Sequence, residues 1–92
     1  MKATAELQIL PIGSGVSVRK DVVRVLELLQ KFDFVIETHA WGTDIEGEMA
    51  DILNAVGLIH ETLHNEGSVR LVSILKLGTR TDKTPTLAGK QL

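Results

Sequence analysis

A chain of 92 residues with no cysteine and a formal net charge of -2 reads as one small domain, held by its core without disulfides or thiolate-bound metal. The balanced charge gives no electrostatic reason to bind nucleic acid or an anionic membrane surface, and Phe32, Phe34 and Trp41, the only aromatic residues, are too few for a base-stacking platform. No apolar run approaches the ~20 residues that span a bilayer, and the N-terminus reaches Glu6 too early for a secretory signal, so a soluble cytoplasmic protein is expected.

Residues 4–10 alternate Ala5, Leu7 and Ile9 with Glu6 and Gln8, the period of a half-buried strand, and Pro11 ends its regular pairing or places it on an edge. Gly13-Ser14-Gly15 is a flexible loop. Ser17 is the expected N-cap of a helix over about residues 17–32, with Val18, Val22, Val25, Leu26, Leu29 and Phe32 in one apolar stripe. A second strand is expected over residues 34–41. Phe34, Ile36 and Ala40 would face the helices, while Val35, Glu37, His39 and Trp41 would point the other way.

From Gly42 two readings compete. Residues 43–46 form a short third strand, or Thr43-x-x-Glu46 is a capping box that starts a helix at once. The second would put Gly47 in the first helical turns, where it costs ~1 kcal/mol relative to alanine, and the strand is preferred. Met49, Ile52, Leu53, Val56, Ile59, His60 and Leu63 mark the second helix, and Gly67 terminates it. Residues 69–77 form the last strand, apolar on both sides, with Val72 and Ile74 facing one way and Leu71 and Leu75 the other. A domain over residues 1–80 is then followed by a polar C-terminal arm, 81–92.

The order β-α-β-β-α-β predicts an α+β ferredoxin-like sandwich, a four-stranded antiparallel sheet with both helices on one face. The other face would expose Leu10, Trp41, Val72 and Ile74, so assembly into a homo-oligomer is expected.

His60-Glu61-Thr62-Leu63-His64 fits the zinc-hydrolase pattern of two histidines one helical turn apart with a glutamate base. A third protein ligand is needed, and His39 is the sole remaining histidine. Histidines favoured in a last helical turn by the dipole are the preferred reading. The run Gly13-Ser14-Gly15-Val16-Ser17 could offer backbone N–H groups to an anion, but it lacks the P-loop lysine and the third glycine of a dinucleotide fingerprint. Without a cysteine nucleophile or a serine elbow, the expectation is a protein that is not an enzyme and uses no metal or cofactor. The best candidate site centres on Glu46, a carboxylate between Ile45 and Gly47. Trp41 offers a flat π-face, Thr38 and Thr43 offer hydroxyls, and Arg70 and Lys76 either meet an anionic group or pair with Glu6 and Glu37 across the sheet.

The segments Pro11-Ile12-Gly13, Ser17-Val18, Gly42-Thr43-x-Ile45-Glu46-Gly47, Gly67-x-x-Arg70 and Arg80-x-Asp82-Lys83, in that order, resemble the thiamine-binding protein family, the YkoF-like group, over nearly the whole chain. The resemblance implies a ferredoxin-like fold, dimers or tetramers, and binding of thiamine or its hydroxymethylpyrimidine part without catalysis. Thr43, Glu46 and Gly47 match the family's central motif, and Ser17 matches the start of its first helix. The expected ligand-binding set is Ser17, Thr38, Trp41, Thr43, Glu46, Gly47 and Arg70, with Glu37 as the reserve carboxylate. The expected function is a carrier, buffer or sensor of thiamine or a related pyrimidine. The alternative is an oligomeric structural or regulatory interaction module with no small-molecule ligand.

Overall fold

The computed structural model describes residues 1–13, 15 and 19–90. Along the chain these form β1 (Lys2–Ile12), α1 (Arg19–Leu29), β2 (Val35–His39), β3 (Gly42–Glu48), α2 (Met49–Asn65), β4 (Arg70–Gly78) and a closing 3-10 turn at Ala88–Lys90. The strands make one sheet in the order β2-β3-β1-β4, with every neighbouring pair antiparallel. This is the expected ferredoxin-like arrangement.

Strand alternation decides what each face holds. Ala3, Ala5 and Leu7 of β1 sit opposite Gly47, Ile45 and Thr43 of β3, and all six are buried. They pack against Val25, Leu28 and Leu29 of α1 and Ile52, Ala55, Ile59 and Leu63 of α2. The small side chains of Ala3 and Ala5 and the absence of one at Gly47 leave room for the larger Leu and Ile of the helices. Gly47 is the tightest point. A Cβ there would lie 2.4 Å from Cδ1 of Phe34, whose ring stacks on Phe32 with centroids 5.1 Å apart.

The expected stripe on α1 is rotated slightly. Leu28 is buried with Val25 and Leu29, whereas Leu26 is only half-buried and Val22 is exposed. The predicted N-cap, Ser17, lies outside the described residues.

The strand reading of the chain after Gly42 holds, and the strand is longer than expected, running to Glu48. Pairing with β1 on one side and β2 on the other outweighs a capping box. α2 therefore begins at Met49, whose N–H donates to the Met1 carbonyl at 2.9 Å. The Glu48 carboxylate instead meets the N-terminal ammonium at 3.2 Å and Lys2 Nζ at 3.6 Å, and the ammonium's hydrogen bond holds its pKa below the usual glutamate value. α2 ends as expected at Gly67. Its φ of +112° lets Ser68 N–H donate to Leu63 O and Gly67 N–H to His64 O, which satisfies the last helical carbonyls.

Trp41 departs from the expected second strand. β2 ends at His39, so Ala40 and Trp41 form the turn of the β2–β3 hairpin, and Trp41 is 79% exposed. The open face of the sheet carries Val35, Glu37 and His39, as expected, together with the aliphatic strip Leu10, Ile12, Val72 and Ile74.

The C-terminal arm is polar, but it does not simply trail from the surface. Arg80 donates to both carboxylate oxygens of Asp82 as the chain leaves β4. Pro85 and Leu87 are buried, and the Leu87 N–H donates to Glu46 Oε1 at 2.8 Å. Glu46 faces outward opposite Thr4, and Thr4 is itself buried. The arm thus covers the end of the open face where β1 begins.

Candidate functional site

β1 outruns its partner on one side. Its pairing with β3 stops at Leu7–Thr43, whereas its pairing with β4 continues to Ile12–Arg70. The step leaves a hollow of about 290 Å³ between the β2–β3 hairpin, the second half of β1 and the start of α1. Leu7, Ile9, Val22 and Val25 make its walls apolar, Thr38 and Thr43 supply hydroxyls, Asp21 supplies a carboxylate, and Trp41 stands at the turn beside it. The exposure of Val22 is explained by this hollow, which it lines. Thr38 and Thr43 are cross-strand partners, so one sheet rung sets their spacing.

The expected ligand set is only partly brought together. Thr38, Trp41 and Thr43 share the hairpin hollow. Glu37 and Glu46 point to the other face of the sheet, because each differs by an odd number of residues from the inward-facing Thr38 and Thr43 on its own strand. Glu46 is engaged with the arm. Gly47 lies beneath Phe34, and Arg70 lies on the far strand opposite Ile12. Ser17 falls outside the described residues. Of the two expected cross-strand cations, Lys76 approaches Glu6 at 3.9 Å. Asp21 and Gln8 are polar lining residues that sequence reasoning missed, and of the two only Asp21 carries a charge. Its signal was a carboxylate one helical turn before Val25 and directly before Val22, at the start of an apolar stripe.

The open face gathers a different chemistry. Glu37, Asp44 and Glu6 lie in one row across β2, β3 and β1, with Lys76 of β4 at its end. His39 Nε2 is 3.0 Å from Asp44 Oδ1 and 3.5 Å from Glu6 Oε2. Together with Thr4 and Leu87, this row borders a shallow hollow of about 420 Å³.

His60 and His64 do lie one turn apart on α2, with ring centroids 6.2 Å apart. His64 Nδ1 is 2.8 Å from the Ser68 carbonyl, whereas His60 Nε2 is buried with no hydrogen-bond partner among the described residues. His39, the third histidine of the sequence, is on the face away from the helices and cannot complete their coordination.

Fold and hollow together define a small α+β domain of the split βαβ kind with a ring-sized recess at its hairpin. The profile of the thiamine-binding protein family matches residues 5–92, and the chain belongs to that family. The UPF0045 protein MJ1052 of Methanocaldococcus jannaschii is 42% identical over 89 residues, covering 97% of this chain and 88% of that protein. Its crystal structure has the same fold, with a TM-score of 0.90 over 97% of this chain and 91% of that one. The UPF0045 protein sll0230 of Synechocystis sp. is 36% identical over 90 residues, covering 98% of this chain and 74% of that protein. A structure from Thermotoga maritima, TM0486, a proposed thiamine biosynthesis/salvage protein, shares the fold with a TM-score of 0.86. It is 20% identical and covers 98% of this chain and 95% of that one. No helix among the described residues is long and apolar enough to cross a membrane.

Proposed function

We propose that this protein binds thiamine or its hydroxymethylpyrimidine part, without turning it over, in the hairpin hollow, and acts in the cytoplasm as a carrier, buffer or sensor. The observation that carries the proposal is the convergence of Asp21, Thr38, Thr43 and Trp41 on one apolar recess in a member of the thiamine-binding family. A volume of about 290 Å³ lies at the low end of small-molecule pockets, roughly 300–1,000 Å³. It suits one ring with the remainder of the molecule reaching outward. An aminopyrimidine presents an amino N–H and, once its ring nitrogen is protonated, a ring N–H, both of which a carboxylate can accept in charge-assisted hydrogen bonds, and Asp21 is the acid placed for that. Thr38 and Thr43 serve the remaining polar atoms, while the exposed Trp41 face suits the thiazolium cation outside.

The aliphatic strip of Leu10, Ile12, Val72 and Ile74 supports a second part of the reading, association of subunits through the open face. A contiguous apolar patch on a small domain is most stable when covered.

Calorimetric titration with thiamine and with hydroxymethylpyrimidine tests the site. Saturable binding is expected, with Asp21→Asn weakening it by about tenfold, or ~1.4 kcal/mol, and Glu46→Gln leaving it nearly unchanged. Loss in Glu46→Gln with none in Asp21→Asn would move the site to the other face. No binding of either molecule would remove the proposal.

A further inference from the structure

Glu6 and Asp44 occupy adjacent strands in direct register, and opposed like charges destabilise antiparallel pairing. Lys76 offsets this weakly, at 3.9 Å from Glu6 and with a side chain 79% exposed. A side chain of another kind completes the arrangement. His39, one rung along on β2, brings Nε2 to 3.0 Å from Asp44 Oδ1 and 3.5 Å from Glu6 Oε2, and one ligand atom from each of the three residues lies within 4.8 Å of the other two.

The two separations from His39 Nε2, 3.0 and 3.5 Å, are close to the edges of a coordination polyhedron. Metal–nitrogen and metal–oxygen bonds of roughly 2.1 Å place neighbouring ligand atoms about 3.0 Å apart in an octahedral site and about 3.4 Å apart in a tetrahedral one. Histidine with two carboxylates is a donor set suited to a divalent transition ion rather than to calcium or magnesium, which take oxygen ligands. The backbone of each donor is fixed by sheet pairing, so little ordering is needed to bring the three together. We propose that Glu6, His39 and Asp44 bind one divalent transition-metal ion on the open face of the sheet. The ion replaces the His39–Asp44 contact, draws Glu6 from Lys76 and neutralises the acidic row. The site's carboxylates lie on the outward face, His39 is the one ligand that also borders the hairpin hollow, and the proposal stands without the thiamine reading.

The test uses the full 92-residue chain without a histidine tag, stripped by chelator and titrated calorimetrically with Zn²⁺ in the absence of thiamine. One ion per chain is expected. His39→Ala and Glu6→Gln should each weaken binding by at least about tenfold, while His64→Ala, which alters the exposed histidine of α2, binds as the wild type does. Melting curves give a second readout. Zn²⁺ should raise the Tm of the wild type and raise that of Glu6→Gln less at the same concentration, and the metal-free Tm of Glu6→Gln should already be higher because one like-charged pair is gone. If His39→Ala fails to fold, Glu6→Gln and Asp44→Asn carry the same comparison. The absence of saturable zinc uptake by the wild type, or uptake undiminished in these variants, would overturn the proposal.

Discussion

The two faces of one sheet do opposite work in this protein. The covered face is an aliphatic core in which Ala3, Ala5, Leu7 and Ile45 meet two helices, and a recess opens where β1 runs on past its pairing with β3. The open face carries a charged row, an aliphatic strip and an arm whose Leu87 is held by Glu46. The segment Gly42-Thr43-Asp44-Ile45-Glu46-Gly47 feeds both. Thr43, Ile45 and Gly47 point inward, while Asp44 and Glu46 point outward. A motif that is continuous in sequence is thus divided by the pleat into pocket lining, core packing, acidic row and arm anchor. Adjacency along a strand is poor evidence for membership of one site.

That division can be strained from either side. The largest effect is expected on the covered face. Gly47→Ala drives a methyl group into Phe34, and overpacking of this kind should cost about 2 kcal/mol in urea unfolding. An unchanged midpoint would mean that the Phe34 ring moves aside freely and that Gly47 is retained for another reason. On the open face, Leu87→Ala should cost about 1.5 kcal/mol by removing buried apolar surface. It should also speed exchange of the backbone amide at position 87, which donates to Glu46, with little effect on thiamine affinity. Loss of thiamine binding in that variant would tie the arm to the ligand site and blur the two faces together.

The smallest effect concerns the helix layer. Arg24 of α1 donates to Glu66 at the end of α2 through Nε at 3.1 Å and Nη2 at 2.8 Å. The hydrogen bond from Arg24 holds the Glu66 carboxyl below its ordinary value of 4.5. A depressed carboxylate contributes stability above its unfolded pKa and loses it as pH falls through the folded one. Wild-type stability should therefore decline as pH drops below about 4.5, and Arg24→Gln should show a shallower acid decline. Glu48, held low by the N-terminal ammonium, keeps part of the slope. Chemical denaturation at a series of pH values measures both. Parallel curves for the two proteins would remove the Arg24–Glu66 pair as a source of stability.

Much of the fold could be read from periodicity. Alternation in β1 and β4 places their inward faces, the stripe of α2 finds Ile52, Ile59 and Leu63 of the core but includes the exposed Leu53 and misses the buried Ala55, and Gly67 marks a helix end because only a left-handed residue closes that turn. The site was less legible for specific reasons. Glu46 stands out as a carboxylate among apolar neighbours, but its partner, the Leu87 amide 41 residues away, is a backbone group with no sequence signature. Trp41 fits an alternating strand until the hairpin closes at His39–Gly42, which moves it into the turn. Asp21 enters the hollow only because the start of α1 lies beside the half of β1 that runs past β3, a tertiary relation that local pattern does not encode. The metal-ligating trio comes from three strands, and register alone brings Glu6 beside Asp44.

The most direct test of the central claim is a thiamine titration of ¹⁵N-labelled protein followed by two-dimensional amide NMR. Binding in the hairpin hollow predicts saturable shifts at Asp21, Val22, Thr38, Trp41 and Thr43, with Glu6, Glu37, Glu46 and Leu87 largely still. Shifts confined to the latter group, or none at all, would contradict it.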